Sequence, residues 1–219
     1  SPTDMLDLLT KEINKPEKNR VLDLACGKGA VSVHLAKNLR CKVKGIDIVP
    51  EFIDYAVNKA KEFGVEELCE FAVGDITQSV AMEKGYDIVI LGAVGDVLGS
   101  PEDTINLLKD TVNKGSYILI DDAYAKEPGS TKYLTKEQWI TIFHCTGVQL
   151  VDEVLIEDVE MTRVNDEQQT WIAKRVGDLK KKYPEKAHLF DGYITSQQAE
   201  CDELENEIAG VTMLLQVLK

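Results

Sequence analysis

The chain has 219 residues and a formal net charge of −13, from 25 basic and 38 acidic side chains, and 44% of its residues are hydrophobic. That is enough for one sizeable α/β core, and the acidity runs through both halves: thirteen basic against nineteen acidic residues up to Asp110, twelve against nineteen beyond it. A nucleic-acid partner calls for a basic face and is not expected here, and with no run of about 18 apolar residues neither is a membrane helix. The five cysteines (Cys26, Cys41, Cys69, Cys145, Cys201) are odd in number and lack CxxC spacing, so neither a disulfide framework nor a zinc site is expected. No basic-then-apolar leader is visible, and the expected setting is the reducing cytoplasm.

Met5, Leu8, Leu9 and Ile13 recur at helical spacing, which predicts an amphipathic helix over residues 3–14. Pro16 and Asn19 break it. The next stretch, RVLDLACGKGAVSVHLAKNLRCKVKGID from Arg20 to Asp47, is an apolar run, a turn with Gly27 and Gly29, a helical pattern, a second apolar run from Val43 to Ile46, and an acid. This is half of a nucleotide-binding α/β unit. Glycines let the chain turn sharply with a ligand against it. The following helix directs its unpaired N–H groups there. Asp47, about 20 residues after Gly27, has the spacing of an acid that accepts ribose hydroxyls.

Two details choose among nucleotides. The third small position of a dinucleotide fingerprint is Ser32 here, so that match is incomplete. Asp23, four residues before Gly27, would repel a pyrophosphate but suits a ligand carrying an ammonium and a sulfonium, as S-adenosylmethionine (SAM) does. The stretch Asp23-Leu24-Ala25-Cys26-Gly27-Lys28-Gly29 resembles the first motif of class I SAM-dependent methyltransferases, departing at Ala25, where many members have glycine. In that family the leading helix covers part of the cofactor cleft; packing on the sheet edge is the alternative.

Pro50 opens a helix with Phe52, Ile53, Ala56 and Ala60 on its apolar face, stopped at Gly64. Leu68 to Val73 reads as the third strand, ending in Gly74-Asp75-Ile76. The resemblance assigns Asp75 to the adenine amino group and Ile76 to its ring face; Asp75 could instead cap the helix starting near Thr77. Tyr86 to Leu91 is the fourth strand. The loop Gly92 to Gly99 lines the methyl-transfer point in the family, and it carries neither the Asn/Asp-Pro-Pro-aromatic tetrad nor the Pro-Cys pair of nucleic-acid enzymes. Asp96 there is either a general base or the anchor of an Asx turn.

Pro101 opens a helix with Ile105, Leu107, Leu108 and Val112 apolar; Gly115 precedes a fifth strand, Tyr117 to Ile120. Asp121, Asp122 and Tyr124 follow at its carboxyl end, where ligands bind in such sheets. Gly129-Ser130-Thr131 reads as a flexible stretch, then Thr135 to Thr146 as a helix with His144 on its packing face. Val148 to Val159 alternates as a long sixth strand, and Val211 to Leu218 is its return, with Gly210 as the break before it. Between them two helical stripes are expected: Trp171, Ile172, Val176, Leu179 and Tyr183, then Ile194, Cys201, Leu204 and Ile208, separated by Pro184.

The expected fold is α/β: a Rossmann-like, doubly wound, mostly parallel seven-stranded sheet with an antiparallel last strand and a helical insertion before it. Residues 1–219 form one methyltransferase domain with an insertion at about 160–209, either a substrate lid or a packing or homodimer face. The implied function is SAM-dependent transfer of a methyl group to oxygen or nitrogen of a small molecule. A SAM-binding protein without catalysis and a nicotinamide-dependent oxidoreductase are the alternatives. The resemblance implies cofactor contacts from Asp23, Ala25, Cys26, Gly27, Gly29, Asp47, Ile48, Asp75, Ile76 and Gly92. Asp96, Asp122 and Tyr124 are the candidate catalytic residues, with His144 a further candidate base. No metal set is expected, since His34, His144 and His188 lack ligand spacing.

Overall fold

The computed structural model describes residues 1–127, 129–130 and 132–218, with backbone alone at 160 and 204. Thr131 of the expected flexible stretch and the Leu204 side chain of the second stripe lie outside the described residues. The chain runs α1 (Pro2–Glu12), β1 (Arg20–Leu24), α2 (Ala30–Leu39), β2 (Lys42–Asp47), α3 (Pro50–Glu62), β3 (Cys69–Val73), α4 (Ile76–Met82), β4 (Tyr86–Gly92), α5 (Pro101–Lys109), β5 (Val112–Ala125), α6 (Lys136–Thr146), β6 (Val148–Leu155), α7 (Asp158–Lys182), α8 (Ala187–Glu207) and β7 (Ile208–Val217).

Among the described residues the strands form one seven-stranded sheet in the order β3-β2-β1-β4-β5-β7-β6. The pairs β2–β3, β1–β2, β1–β4 and β4–β5 are parallel. β7 is antiparallel to both neighbours. Thr212 bonds to Asp121 and Gln216 to Gly115, so β7 ascends as β5 descends. Ile156 N–H donates to Gly210 O and Leu218 N–H to Gly147 O, which sets the same sense against β6. The central strands β1, β4 and β7 are buried nearly throughout, as continuous apolar runs covered on both faces must be. Met5, Leu8 and Leu9 of α1 and Val33, Leu35 and Ala36 of α2 join the same core.

Several boundaries differ from the sequence reading, each for a local reason. Val112 leaves the helix and opens β5, because Tyr86 N–H donates to Thr111 O and Val112 pairs with Tyr86. Gly115 does not precede β5 but sits inside it at φ +83°. The register passes from Tyr86–Val112 to Ile88–Tyr117, so the extra residues form a bulge that absorbs the glycine. β6 stops at Leu155, since Glu157 takes the N-cap position of α7 and Val159 is exposed on it. Alternation hid an acidic helix start there. Ile208 and Gly210 belong to β7 rather than to the helix and a break. A Cβ on Gly210 would lie 3.0 Å from Ile156 Cδ1 and 3.1 Å from Met161 Cε, so close approach is what requires the glycine.

The chain divides into two compact units. One comprises Ser1–Asp122, Glu137–Val154 and Thr212–Lys219; the other comprises Ala123–Lys136 and Leu155–Val211. In the second, Val176 of α7 and Cys201 of α8 are buried while Trp171 stays exposed. Polar ties join its helices: Asn165 Nδ2 donates to Glu205 Oε1 at 2.9 Å and Thr162 Oγ1 to Glu205 Oε2 at 3.2 Å.

Candidate functional site

The strand order reverses between β1 and β4, and open α/β sheets bind ligands where the carboxyl ends of such strands part. Both ends carry a non-glycine residue in the left-handed region: Ala25 at φ +56° after β1 and Ala93 at φ +48° after β4. An L-residue there costs about 1–2 kcal/mol, and strained backbone of this kind collects at functional sites.

The turn after β1 is tied down at each step. Cys26 N–H donates to Ile46 O at 3.0 Å, Gly29 N–H to Cys26 O at 2.9 Å, and Val33 N–H to Gly29 O at 2.9 Å. Gly29, at φ +73°, is the N-cap of α2, and a Cβ on it would lie 2.7 Å from Ala56 Cβ. Gly45 of β2 is equally constrained: its Cβ would meet Phe71 Cδ1 at 2.7 Å and Cys26 Sγ at 2.9 Å. A lone glycine inside the apolar run Val43 to Ile46 was the sequence signal for that close approach. Burial and the neighbouring Asp23 and Asp47 push the Cys26 thiol well above its ordinary range, so it stays protonated and packs. Gly27 differs from its neighbours. At φ +55° it has nothing within 4 Å of where a Cβ would stand.

Two carboxylates belong to the strands on either side of this turn, Asp23 in β1 and Asp47 at the end of β2. Asp47 is 7% exposed. Its Oδ2 accepts from Gly27 N–H at 2.8 Å and its Oδ1 from Val49 N–H at 2.9 Å, so it locks the turn to the end of β2. Each oxygen keeps a second lone pair with which to accept a hydroxyl. Asp23, in β1 between Gly45 and Ile90, is 3% exposed. Burial raises its pKa from 3.8 to about 6; the fields of Asp47 and Asp121 add to this, and hydrogen bonds from Ser32 oppose it. Ser32 Oγ donates to Asp23 Oδ2 at 2.5 Å. Ser32 was legible only as a failed third glycine, whereas in the structure it orients the acid.

The remaining expected cofactor residues lie along the same edge. Ile48 follows Asp47 and is 65% exposed, whereas the Ile76 side chain is buried. Asp75 is the N-cap of α4: its Oδ1 accepts from Thr77 N–H at 2.9 Å and Thr77 Oγ1 at 2.8 Å, and these bonds hold it below the usual carboxylate range. Gly74 N–H donates to Asp47 O at 2.9 Å, bringing the end of β3 against the end of β2. Gly92 ends β4, paired with Asp121.

Asp121, Asp122 and Tyr124 lie within β5, not beyond it, because the strand continues to Ala125. Asp121 is half-buried and accepts from Thr212 Oγ1 at 2.5 Å. Exposed Asp96 and Asp122 meet at a small cavity whose wall also includes Leu91, Val94, Ile120 and Trp139. Trp139 was not singled out in the sequence; its i, i+4 pairing with Phe143, ring centroids 5.5 Å apart, was the available signal. Tyr124 is buried in the second unit, with Lys136 Nζ 5.9 Å from its ring centroid. His144 is exposed rather than on the packing face of α6, which is formed by Trp139, Phe143 and Thr146.

The family described as "Methyltransferase domain" matches residues 15–200. Norajmaline N-methyltransferase of Rauvolfia serpentina is 38% identical over 77 residues, 35% of this chain and 26% of that protein. Ribosomal protein L11 methyltransferase of an Exiguobacterium species is 27% identical over 134 residues, 61% of this chain and 36% of that protein. The chain thus spans about a quarter to a third of the length of these curated relatives. A crystal structure of a SAM-dependent methyltransferase from Geobacter sulfurreducens in complex with S-adenosyl-L-homocysteine shares the fold at TM-score 0.82 and 21% identity, covering 99% of this chain and 90% of that one.

Proposed function

Since the chain belongs to the methyltransferase-domain family, we propose that it is a SAM-dependent methyltransferase acting on a small molecule at nitrogen or oxygen. One observation carries the cofactor: the open space over Gly27 lies beside Asp47, whose second lone pairs suit ribose hydroxyls, in a site that also holds the buried Asp23 carboxylate. A pyrophosphate would bring more negative charge to Asp23 and Asp47, and a cationic adenosine donor relieves it. SAM bound there would supply an electrophilic methyl group on sulfur. The protein's residues then align donor and acceptor and exclude water. We read Asp23, Ala25, Cys26, Gly27, Gly29, Asp47, Ile48 and Gly92 as the cofactor's setting. At Asp75 the capping bonds use Oδ1, which leaves Oδ2 for an exocyclic amine, and the N–H of Ile76 is among the first of α4, which have no intrahelical acceptor.

The carboxylates Asp96 and Asp122 with the Trp139 indole favour an amine acceptor, whose proton one of the two acids would take. The N-methyltransferase named above is a relative of that class. We read the chain as one methyltransferase domain with the insertion at about 160–209, entered from β6 and left through β7 of one sheet. No described helix is long and apolar enough to cross a membrane, and the free thiols suit a cytoplasmic setting. The exposed Trp171 is the proposed centre of a homodimer face, which light scattering of the Trp171→Glu variant would check. The functional test is calorimetry with SAM, S-adenosylhomocysteine and NAD, followed by transfer from methyl-labelled SAM to panels of amines and phenols. Micromolar SAM binding and labelling of amines are expected. Binding of NAD alone would overturn the cofactor, and SAM binding with no labelled product would leave a non-catalytic SAM protein.

A further inference from the structure

We propose that the groove between α2 and α3 is a second binding site, for a small planar aromatic anion. It lies within the first unit, begins beside Gly29 and Ala30 at the start of α2, and is lined further by Lys28, His34 and Lys37 and, from α3 and its end, by Tyr55, Lys59 and Phe63. The walls alternate cation and ring. Lys28 Nζ stands 5.4 Å from the Phe52 ring centroid and 5.5 Å from that of Tyr55. Lys59 Nζ stands 5.6 Å from Tyr55 and 6.0 Å from Phe63, and Lys37 Nζ 4.7 Å from Phe63. The rings remain open to solvent, Phe52 at 37% and Tyr55 and Phe63 at 45% each.

Charge selects the occupant. In a chain of net charge −13, three lysines converge on this one groove, and only Lys59 has an ion-pair partner among the described residues, Glu62 at 2.7 Å. Lysine ammonium groups over ring faces are held by the ring quadrupole. An aromatic body can slide between them and stack on the rings while its anionic group meets the ammoniums. A neutral apolar ligand would leave those charges partly desolvated, and a cation would be repelled. His34 also lines the groove, and its Nε2 is buried with no hydrogen-bond partner among the described residues. The alternative is a solvated helix face on which lysine stems simply cover three rings.

The two are separated by titrating the full chain with 1-anilinonaphthalene-8-sulfonate and naphthalene-2-sulfonate, with and without saturating SAM, against the neutral parent naphthalene. One saturable equivalent is expected, unaffected by SAM and weakened by added salt. Lys37→Glu and Tyr55→Ala should each lower affinity about tenfold, the loss of a charge or ring contact of this type, without moving the SAM affinity. Competition by SAM would place the probe in the cofactor cleft and overturn the proposal. So would binding that ignores both substitutions, or naphthalene binding as well as its sulfonate. The site stands apart from the methyltransferase reading, because the variants report on the groove whether or not the chain binds SAM.

Discussion

Asp23→Asn tests the central electrostatic argument. In the folded chain Asp23 titrates near 6 against an ordinary 3.8, chiefly because burial penalises its charged form. Between those values the folded state holds a proton that the unfolded chain has lost. Stability therefore falls as pH rises from about 4 to about 6, by about 3 kcal/mol in all. Below pH 4 both states are protonated and nothing is lost; above pH 6 the whole cost is present. Asparagine keeps the shape, and its oxygen can still accept from Ser32 Oγ. Its unpaired amide hydrogens cost about 1 kcal/mol at every pH, leaving a net gain of about 2 kcal/mol at pH 7 and a net loss of about 1 kcal/mol at pH 4. Urea unfolding followed by circular dichroism from pH 4 to 7 reads this directly. SAM affinity should move the other way, falling about tenfold in the variant at pH 7, the size of one charge-assisted contact. In the unaltered protein SAM affinity should decline as pH drops through 6, whereas the variant's should stay level. A variant with the original pH dependence of stability, or with undiminished SAM binding, would refute the reasoning.

Asp47→Ala removes the acceptor for Gly27 and Val49 N–H and the proposed acceptor for the ribose; calorimetry should show SAM weakened by about 1–3 kcal/mol, and unchanged affinity would remove Asp47 from the site. Ala25→Gly relieves the left-handed backbone and should raise stability by about 1 kcal/mol in urea while SAM affinity holds; a loss of stability would mean that the strain is offset by side-chain packing. Gly27→Val puts a branched side chain into the open space and at a positive φ, so SAM affinity should drop by about tenfold to a hundredfold in a chain still folded by circular dichroism. Retained binding would place the ligand elsewhere.

The half of the sheet around β1 was readable because its signals are local. Gly27, Gly29 and Asp47 sit at fixed separations along one strand–turn–helix–strand unit, and the structure joins Gly27 to Asp47 by a direct hydrogen bond. Pro50 and Gly64 bracket α3 through their own backbone preferences, and Gly64 does adopt φ +65°. The far half was read less well because its determinants are non-local. Whether Gly115 ends a strand or sits in a bulge depends on what β4 offers opposite it. Gly210 depends on Ile156 and Met161, more than forty residues earlier in the chain. Ser32 shows the same limit at the site: a hydroxyl reads as a defect in a glycine fingerprint until the buried carboxylate it serves is seen nine residues before it.

The position of β7 has a consequence for how the protein comes into being. Among the described residues β6 has no neighbour in the sheet except β7, yet β7 leaves the ribosome only after α7 and α8 have been made. At translation speeds of about 5–20 residues per second, β6 spends seconds as an orphan with a bare edge. All the residues around the Gly27 turn are by then already synthesised. The last strand must slot between two others that were finished long before it, a late insertion with slow, long-range closure. A ribosome stalled between β6 and β7 would therefore hold a nascent chain with strands β1 to β5 complete and its sheet still unfinished, the stage at which a chaperone has most to shield.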